Sequence, residues 1–198
     1  ELHAAHGYLL HQFLSPLSNL RADEFGGSLQ GRMRFPLAVF EALREIWPKH
    51  KALGVRLSAT DWVARSSWTL AESQIFAGEL KTRGCDFIDV SSAGNSPEQE
   101  IDAGPAYQTG FAAEIKRITG MPTMAVGHIT DPKQAEAVLR SEQADMFALG
   151  RAMLNNPRWA WQAAESLNAK AAYPPQYRRS NKAFLALPVP RNPPVATK

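Results

Sequence analysis

Short apolar runs alternate with amphipathic stretches along most of the chain. Ala52-Leu53-Gly54-Val55-Arg56-Leu57-Ser58 reads as a strand, as do the runs from Cys85 to Val90, Met121 to Val126 and Ala144 to Leu149. The segments between them carry helix signals. Arg32 to Trp47 supplies a first crossover, and Thr69-Leu70-Ala71-Glu72 is a capping box that opens a helix running toward Gly84. Phe111, Ile115 and Ile118 mark one face of a helix closed by Gly120. Asp131-Pro132 caps the next, through Leu139, with proline at the favoured first position. Gly150-Arg151 opens a short helix and Asn156-Pro157 a final one, to about Ala169.

Strand centres recur at intervals of roughly 25–35 residues, the size of one βα unit. With Glu1-Leu2-His3 as the end of one more strand, the pattern predicts an α/β fold of parallel strands alternating with helices. Two architectures satisfy it: the C-terminal portion of a TIM (β/α)8 barrel whose N-terminal strands are missing, or an open parallel sheet. Residues 1–172 form this body. Residues 173–198 change character, with prolines at 174, 175, 188, 190, 193 and 194 and no helical period, and read as a Pro-rich tail.

Composition narrows the function classes. A chain of 198 residues with 44% hydrophobic and 21% charged residues is long enough for one ordinary core. The net charge of +3 is spread among acidic residues, and Arg178-Arg179 is the one tight basic pair in the tail, so no nucleic-acid partner is indicated. No apolar run reaches the ~20 residues of a membrane span, and the first residues have no secretory-leader pattern. The single Cys85 excludes an internal disulfide and fits a reducing cytoplasm, as a buried structural thiol. Starting at Glu1 rather than Met implies processing or a longer chain.

The candidate chemistry lies at the two ends of the strand series. His3-Ala4-Ala5-His6-Gly7-Tyr8 puts two imidazoles and a phenol just beyond the first strand, where a TIM barrel keeps its active site. Imidazole N–H groups stabilise negative charge on a carbonyl or nitro oxygen, and a phenol delivers a proton. Histidines satisfied by the backbone, or a metal site made by His3, His6 and His11, are the rival readings. Ala125-Val126-Gly127 and Ala148-Leu149-Gly150-Arg151 place glycines at the ends of the last two strands, beside a helix start and an arginine, as a phosphate site requires. Tight βα turns alone would also use these glycines. Arg56 interrupts an apolar strand and needs an anionic or carbonyl-rich ligand, or an internal carboxylate such as Asp89.

Four segments resemble, in order, those of the Old Yellow Enzyme family: residues 3–16, Arg21 to Leu29 continuing to Arg32-Met33-Arg34-Phe35, Gly54-Val55-Arg56-Leu57-Ser58, and Ala148 to Arg151. The likeness runs from residue 1 to about 179, and the paired histidines and Gln176-Tyr177-Arg178-Arg179 are most like the bacterial, thermophilic-type branch. Gly31 stands where the family usually has Asn. The resemblance implies an FMN-dependent ene-reductase that reduces activated C=C bonds of enones or nitro compounds with NADPH or NADH. His3 and His6 would bind the activating oxygen, and Tyr8 would protonate the alpha carbon. Arg56 would contact the flavin ring near N1 and O2, while Val126, Gly127, Leu149, Gly150 and Arg151 would hold the FMN phosphate. Arg179 would reach a neighbouring subunit's site in a homo-oligomer. The family's first half has no counterpart before Glu1, so the resemblance implies a fragment that needs that half. A dimerised half-barrel binding phosphate ligands, or an inactive remnant, are the alternatives.

Overall fold

The computed structural model describes residues 1–180, with side chains for residues 1–177. Five parallel strands lie in sequence order: β1 (Leu2–Ala4), β2 (Val55–Ser58), β3 (Ile88–Ser91), β4 (Thr123–Val126) and β5 (Met146–Ala148). The crossovers carry α1 (Leu9–Leu14), α2 (Leu29–Ile46), α3 (Leu70–Thr82), α4 (Thr109–Thr119) and α5 (Pro132–Arg140). After β5 come α6 (Arg151–Asn155), α7 (Trp159–Ser166) and a 3-10 turn, Pro175–Ser180. Strands β2 and β4 are shorter than their apolar runs, and side chains take over the pairing where they begin. Asp86 Oδ2 accepts the Leu53 N–H at 2.7 Å before β2, and Asp145 Oδ2 accepts that of Thr123 at 2.9 Å as β4 begins.

Alternation along each strand sorts the side chains to two faces. On one face Val55, Leu57, Ile88, Val90 and Ala125 are buried in a single apolar cluster with Phe40 of α2, Phe76 and Leu80 of α3, and Ile115 of α4. On the other, strand register puts His3, Arg56, Asp89, Met124 and Met146 in one row across the sheet. The expected capping box of α3 is present, with Thr69 and Glu72 bonded reciprocally. Glu72 also accepts from Arg32 Nη2 at 2.6 Å, and Arg32 Nη1 caps the Leu14 carbonyl, so one buried guanidinium ties α1, α2 and α3 together.

Several elements differ from the sequence expectations. In α4 it is Ala112, Ile115 and Thr119 that are buried, while Ile118 is exposed. Helix α2 starts at Leu29, because Ser28 accepts the Gly31 N–H, and α7 stops at Ser166. At Gly31 a Cβ would lie 2.2 Å from the Gly26 carbonyl oxygen, so the departure from Asn matches a close backbone approach. Helix α1 went unforeseen because a histidine, His11, holds one of its buried positions. Cys85 is buried, and burial pushes its thiol up to about 11, as an inert structural thiol requires. A 3-10 turn occupies part of the Pro-rich segment, whose remainder, from residue 181, lies outside the described residues. Among the described residues no helix is long and apolar enough to cross a membrane. Phe40→Ala is expected to cost about 3–5 kcal/mol, read as a lower urea midpoint at unchanged slope. A loss below about 1 kcal/mol would mean that α2 does not close the core.

Candidate active site

Two adjoining turns build the first part of the site. After β1 the chain reverses through His6 and Gly7, both left-handed (φ 57° and 73°), and after β3 through Ala93 and Gly94 (φ 66° and 94°). The turns interlock. A Cβ on Gly7 would sit 2.3 Å from the Gly94 carbonyl oxygen, and one on Gly94 would sit 2.5 Å from His6 Cα. Ser58 staples them, accepting the His6 N–H at 3.0 Å and donating to the Ala93 carbonyl at 2.9 Å. A left-handed non-glycine residue costs about 1–2 kcal/mol, so His6 is held where it is by its surroundings.

Behind the turn, His11 and Asp61 form a fully buried pair, Nε2 to Oδ1 at 3.0 Å. His11 Nδ1 accepts the Gly7 N–H at 3.0 Å, and Asp61 also receives the Ser15 hydroxyl at 2.5 Å and the Trp68 N–H at 2.9 Å. Burial pushes the Asp61 carboxyl up, but the bonds from His11 and Ser15 outweigh it and its pKa lies below the ordinary value. With Nδ1 taken by the Gly7 N–H and Nε2 buried against Asp61, His11 is not the third ligand of a metal site with His3 and His6. Among the described residues no group of three His, Cys, Asp or Glu side chains could hold a metal ion.

The turn brings His3, His6 and Tyr8 together. The His3 ring centre is 5.3 Å from that of His6 and 5.4 Å from that of Tyr8, whose residue is 64% exposed at the head of α1. His6 Nε2 lies 2.6 Å from Ser91 Oγ. Burial, then the nearby Arg56 charge, lowers the pKa of both histidines, that of His6 to about 4. Both imidazoles are therefore neutral at pH 7, offering an N–H without a permanent charge.

In the row beneath, Arg56 Nη1 pairs with Asp89 Oδ2 at 3.2 Å, the internal carboxylate option. The pair is incomplete: Arg56 Nε and Asp89 Oδ1 are buried without a hydrogen-bond partner among the described residues. Burial pushes the Asp89 carboxyl up to about 6 although Arg56 pulls it down. Farther along the strand ends, a cavity of about 590 Å³ is lined by all five residues expected at the phosphate site, Val126, Gly127, Leu149, Gly150 and Arg151, with Ala148 and His128. Gly127 (φ 117°) is crowded by Gln108 and Tyr107, whereas Gly150 opens to empty space. The Arg151 side chain makes no hydrogen bond or ion pair with another described residue and stands exposed at the cavity rim. The Arg179 side chain lies outside the described residues.

Sequence reasoning overlooked Ser58, Asp61, Ser91 and Gln108. The two serines had a signal: Val-Arg-Leu-Ser and Ile-Asp-Val-Ser repeat one pattern, and Ser58 and Ser91 pair in register at the strand ends. Arg56→Gln is expected to raise the pKa of His3, of His6 from about 4 and of Asp89 from about 6, since its charge lowers all three. NMR titration reads the change, and unmoved values would mean that the guanidinium is screened from the site.

Residues 1–170 match the model of the NADH:flavin oxidoreductase / NADH oxidase family. The chain is 46% identical over 179 residues to an NADPH dehydrogenase of Geobacillus thermodenitrificans, covering 90% of this chain and 52% of that protein. It is 42% identical over 179 residues to one of Bacillus subtilis, with the same coverage. The chain thus spans about half the length of the curated relatives it matches. Among solved structures, morphinone reductase aligns with a TM-score of 0.66 at 28% identity, over 88% of this chain and 45% of that one. A 2-naphthoyl-CoA reductase complex aligns with a TM-score of 0.76 over 83% of this chain and 26% of that one; at 24% identity it speaks for the fold alone. These neighbours decide between the two architectures, and the five-stranded sheet is part of a TIM barrel. By sequence and by fold, the chain belongs to the NADH:flavin oxidoreductase / NADH oxidase family, the Old Yellow Enzyme-like flavoproteins.

Proposed function

We propose that this chain supplies the substrate-binding and phosphate-binding part of an FMN-dependent, NADPH- or NADH-consuming oxidoreductase acting on alkenes activated by a carbonyl or nitro group. The observation that carries the reading is the convergence of two neutral imidazoles and an exposed phenol, His3, His6 and Tyr8, within one turn at the strand ends.

The residues fit FMN at two points. Arg56 keeps an unpartnered buried Nε–H on the concave row, suited to an anionic or carbonyl-rich ring edge. The cavity beneath Gly127 and Gly150 has at its rim the Arg151 side chain, with no partner among the described residues, suited to a phosphate. The register separates His3 on β1 from Val126 on β4 by three strand spacings, on the order of 14 Å, so an elongated cofactor would bridge them. Bound there, FMN supplies the hydride chemistry between the nicotinamide and the substrate's beta carbon.

The chain's own residues do the rest. His3 and His6 bind the activating oxygen by hydrogen bonds that strengthen as negative charge builds on it. Being neutral, they stabilise that charge without handing over a proton of their own. Tyr8 Oη gives its proton to the alpha carbon and, exposed as it is, regains one from water. Arg56, held by Asp89, steadies negative charge on the cofactor ring. The same fold and family support a small-molecule substrate; Arg179 would act across a subunit boundary in a homo-oligomer, and a cytoplasmic setting suits a nicotinamide-dependent enzyme.

Titrating this chain, completed by the other half of one of its longer curated relatives, with FMN, followed by flavin fluorescence and size-exclusion chromatography, tests the reading. Saturable retention is expected, weakened about tenfold or more in Arg151→Ala through loss of a charge-assisted contact. A chain that binds inorganic phosphate but no flavin would overturn it. In the flavin-loaded protein, Tyr8→Phe is expected to slow alkene reduction by about 10²-fold or more while leaving flavin reduction by NADPH unchanged. Equal loss in both half-reactions would remove Tyr8 from the proton-donor role.

A further inference from the structure

A chain of hydrogen bonds runs along the strand ends through Trp62, Ser92, Gln108, Ser91 and His6. Its polarity is set at both fixed points. An indole N–H can only donate. Trp62 Nε1 lies 2.8 Å from Ser92 Oγ, so Ser92 accepts there and turns its own hydrogen to Gln108 Oε1. The amide is oriented from its other end, where Gln108 Nε2 donates to the Val126 carbonyl at 3.0 Å, an oxygen that can only accept. Gln108 Oε1 thus faces both serines, with the close contact from Ser92 and a longer one to Ser91.

That leaves the hydrogen of Ser91. Its oxygen is 2.6 Å from His6 Nε2 and 3.4 Å from Gln108 Oε1. The short contact must contain a hydrogen, from one side or the other. Hydroxyl donors make the shorter contacts, about 2.5–3.0 Å to an oxygen, whereas N–H···O contacts centre near 2.9–3.0 Å and seldom fall below about 2.7 Å. A separation of 2.6 Å favours the hydroxyl as donor. The reverse assignment would compress an N–H···O contact and leave the serine hydrogen in the 3.4 Å one. Ser91 therefore donates to His6 Nε2. The ring is neutral at pH 7, so its one N–H sits on Nδ1, which no described residue engages.

We propose that Ser91 is a positioning residue: it fixes His6 as the Nδ1–H tautomer and makes Nδ1 the nitrogen that donates to a ligand oxygen. The ligand in that statement rests on the function proposed above; the tautomer does not, and it can be measured on the chain without cofactor. Long-range proton–nitrogen NMR distinguishes the two tautomers. One hydrogen bond of ordinary net strength holds the preferred form about tenfold over the other. The unliganded chain at pH 7 is expected to show His6 as Nδ1–H by about that excess. Ser91→Thr is expected to keep it, and Ser91→Ala to lose it. A His6 that is Nε2–H in the unaltered chain, or unchanged in a folded Ser91→Ala protein, would overturn the proposal. Should Ser91→Ala not fold, the spectrum of the unaltered chain decides alone. If the chain binds no FMN yet shows the Nδ1–H form, the function falls and the role of Ser91 stands.

Discussion

The two-residue period of a strand, locked into common register across five strands, is the constraint from which the rest follows. Every side chain must face either the helices or the concave side, and parallel pairing imposes the same choice on neighbours. Val55, Leu57, Ile88 and Val90 take the helix side and build the core. Their intervening partners Arg56 and Asp89 have no alternative but the concave side, opposite one another. Slipping β2 by one residue would drive a guanidinium into the core and expel Val55 and Leu57 from it. The polar row is thus the other half of the arrangement that builds the core.

On that frame the chemistry is held by strain and by buried polar groups. His6 stays in an unfavourable backbone conformation because Ser58, the Gly94 backbone and the His11–Asp61 pair enclose its turn from three sides. Burial keeps the imidazoles of His3 and His6 neutral, and Arg56 reinforces it; the same burial raises Asp89 against the pull of Arg56. One low-dielectric environment therefore discourages charge on acids and bases alike.

Much of this was legible in the sequence. Apolar runs separated by capped amphipathic segments specify a parallel α/β sheet, and Thr69-Glu72 and Asp131-Pro132 form the caps they predict. His3, His6 and Tyr8 are neighbours in sequence, so their convergence needs only one turn. The Arg56–Asp89 pair was readable from two charges at matching places in apolar strands. What escaped were residues whose roles depend on distant partners. Asp61 meets His11 from 50 positions away, and Gln108 reaches from the head of α4 to Val126 in β4. Helix α1 was hidden because its buried stripe contains His11, an imidazole that fits there only with the Asp61 carboxylate packed against it. Local pattern carries the frame, while long-range hydrogen bonding carries the details of the site.

The interlocked turns at Gly7 and Gly94 have a consequence for how such a site can vary. Each glycine vacates the space that the other turn's backbone fills, so neither loop is a free module. A side chain introduced at either place must push the opposite loop away, and with it the backbone of His6. Exchange of the loop after β3, whether by evolution or by an engineer seeking a new substrate range, has to carry the loop after β1 with it. The two segments, separated by more than eighty residues of chain, are inherited in practice as one unit.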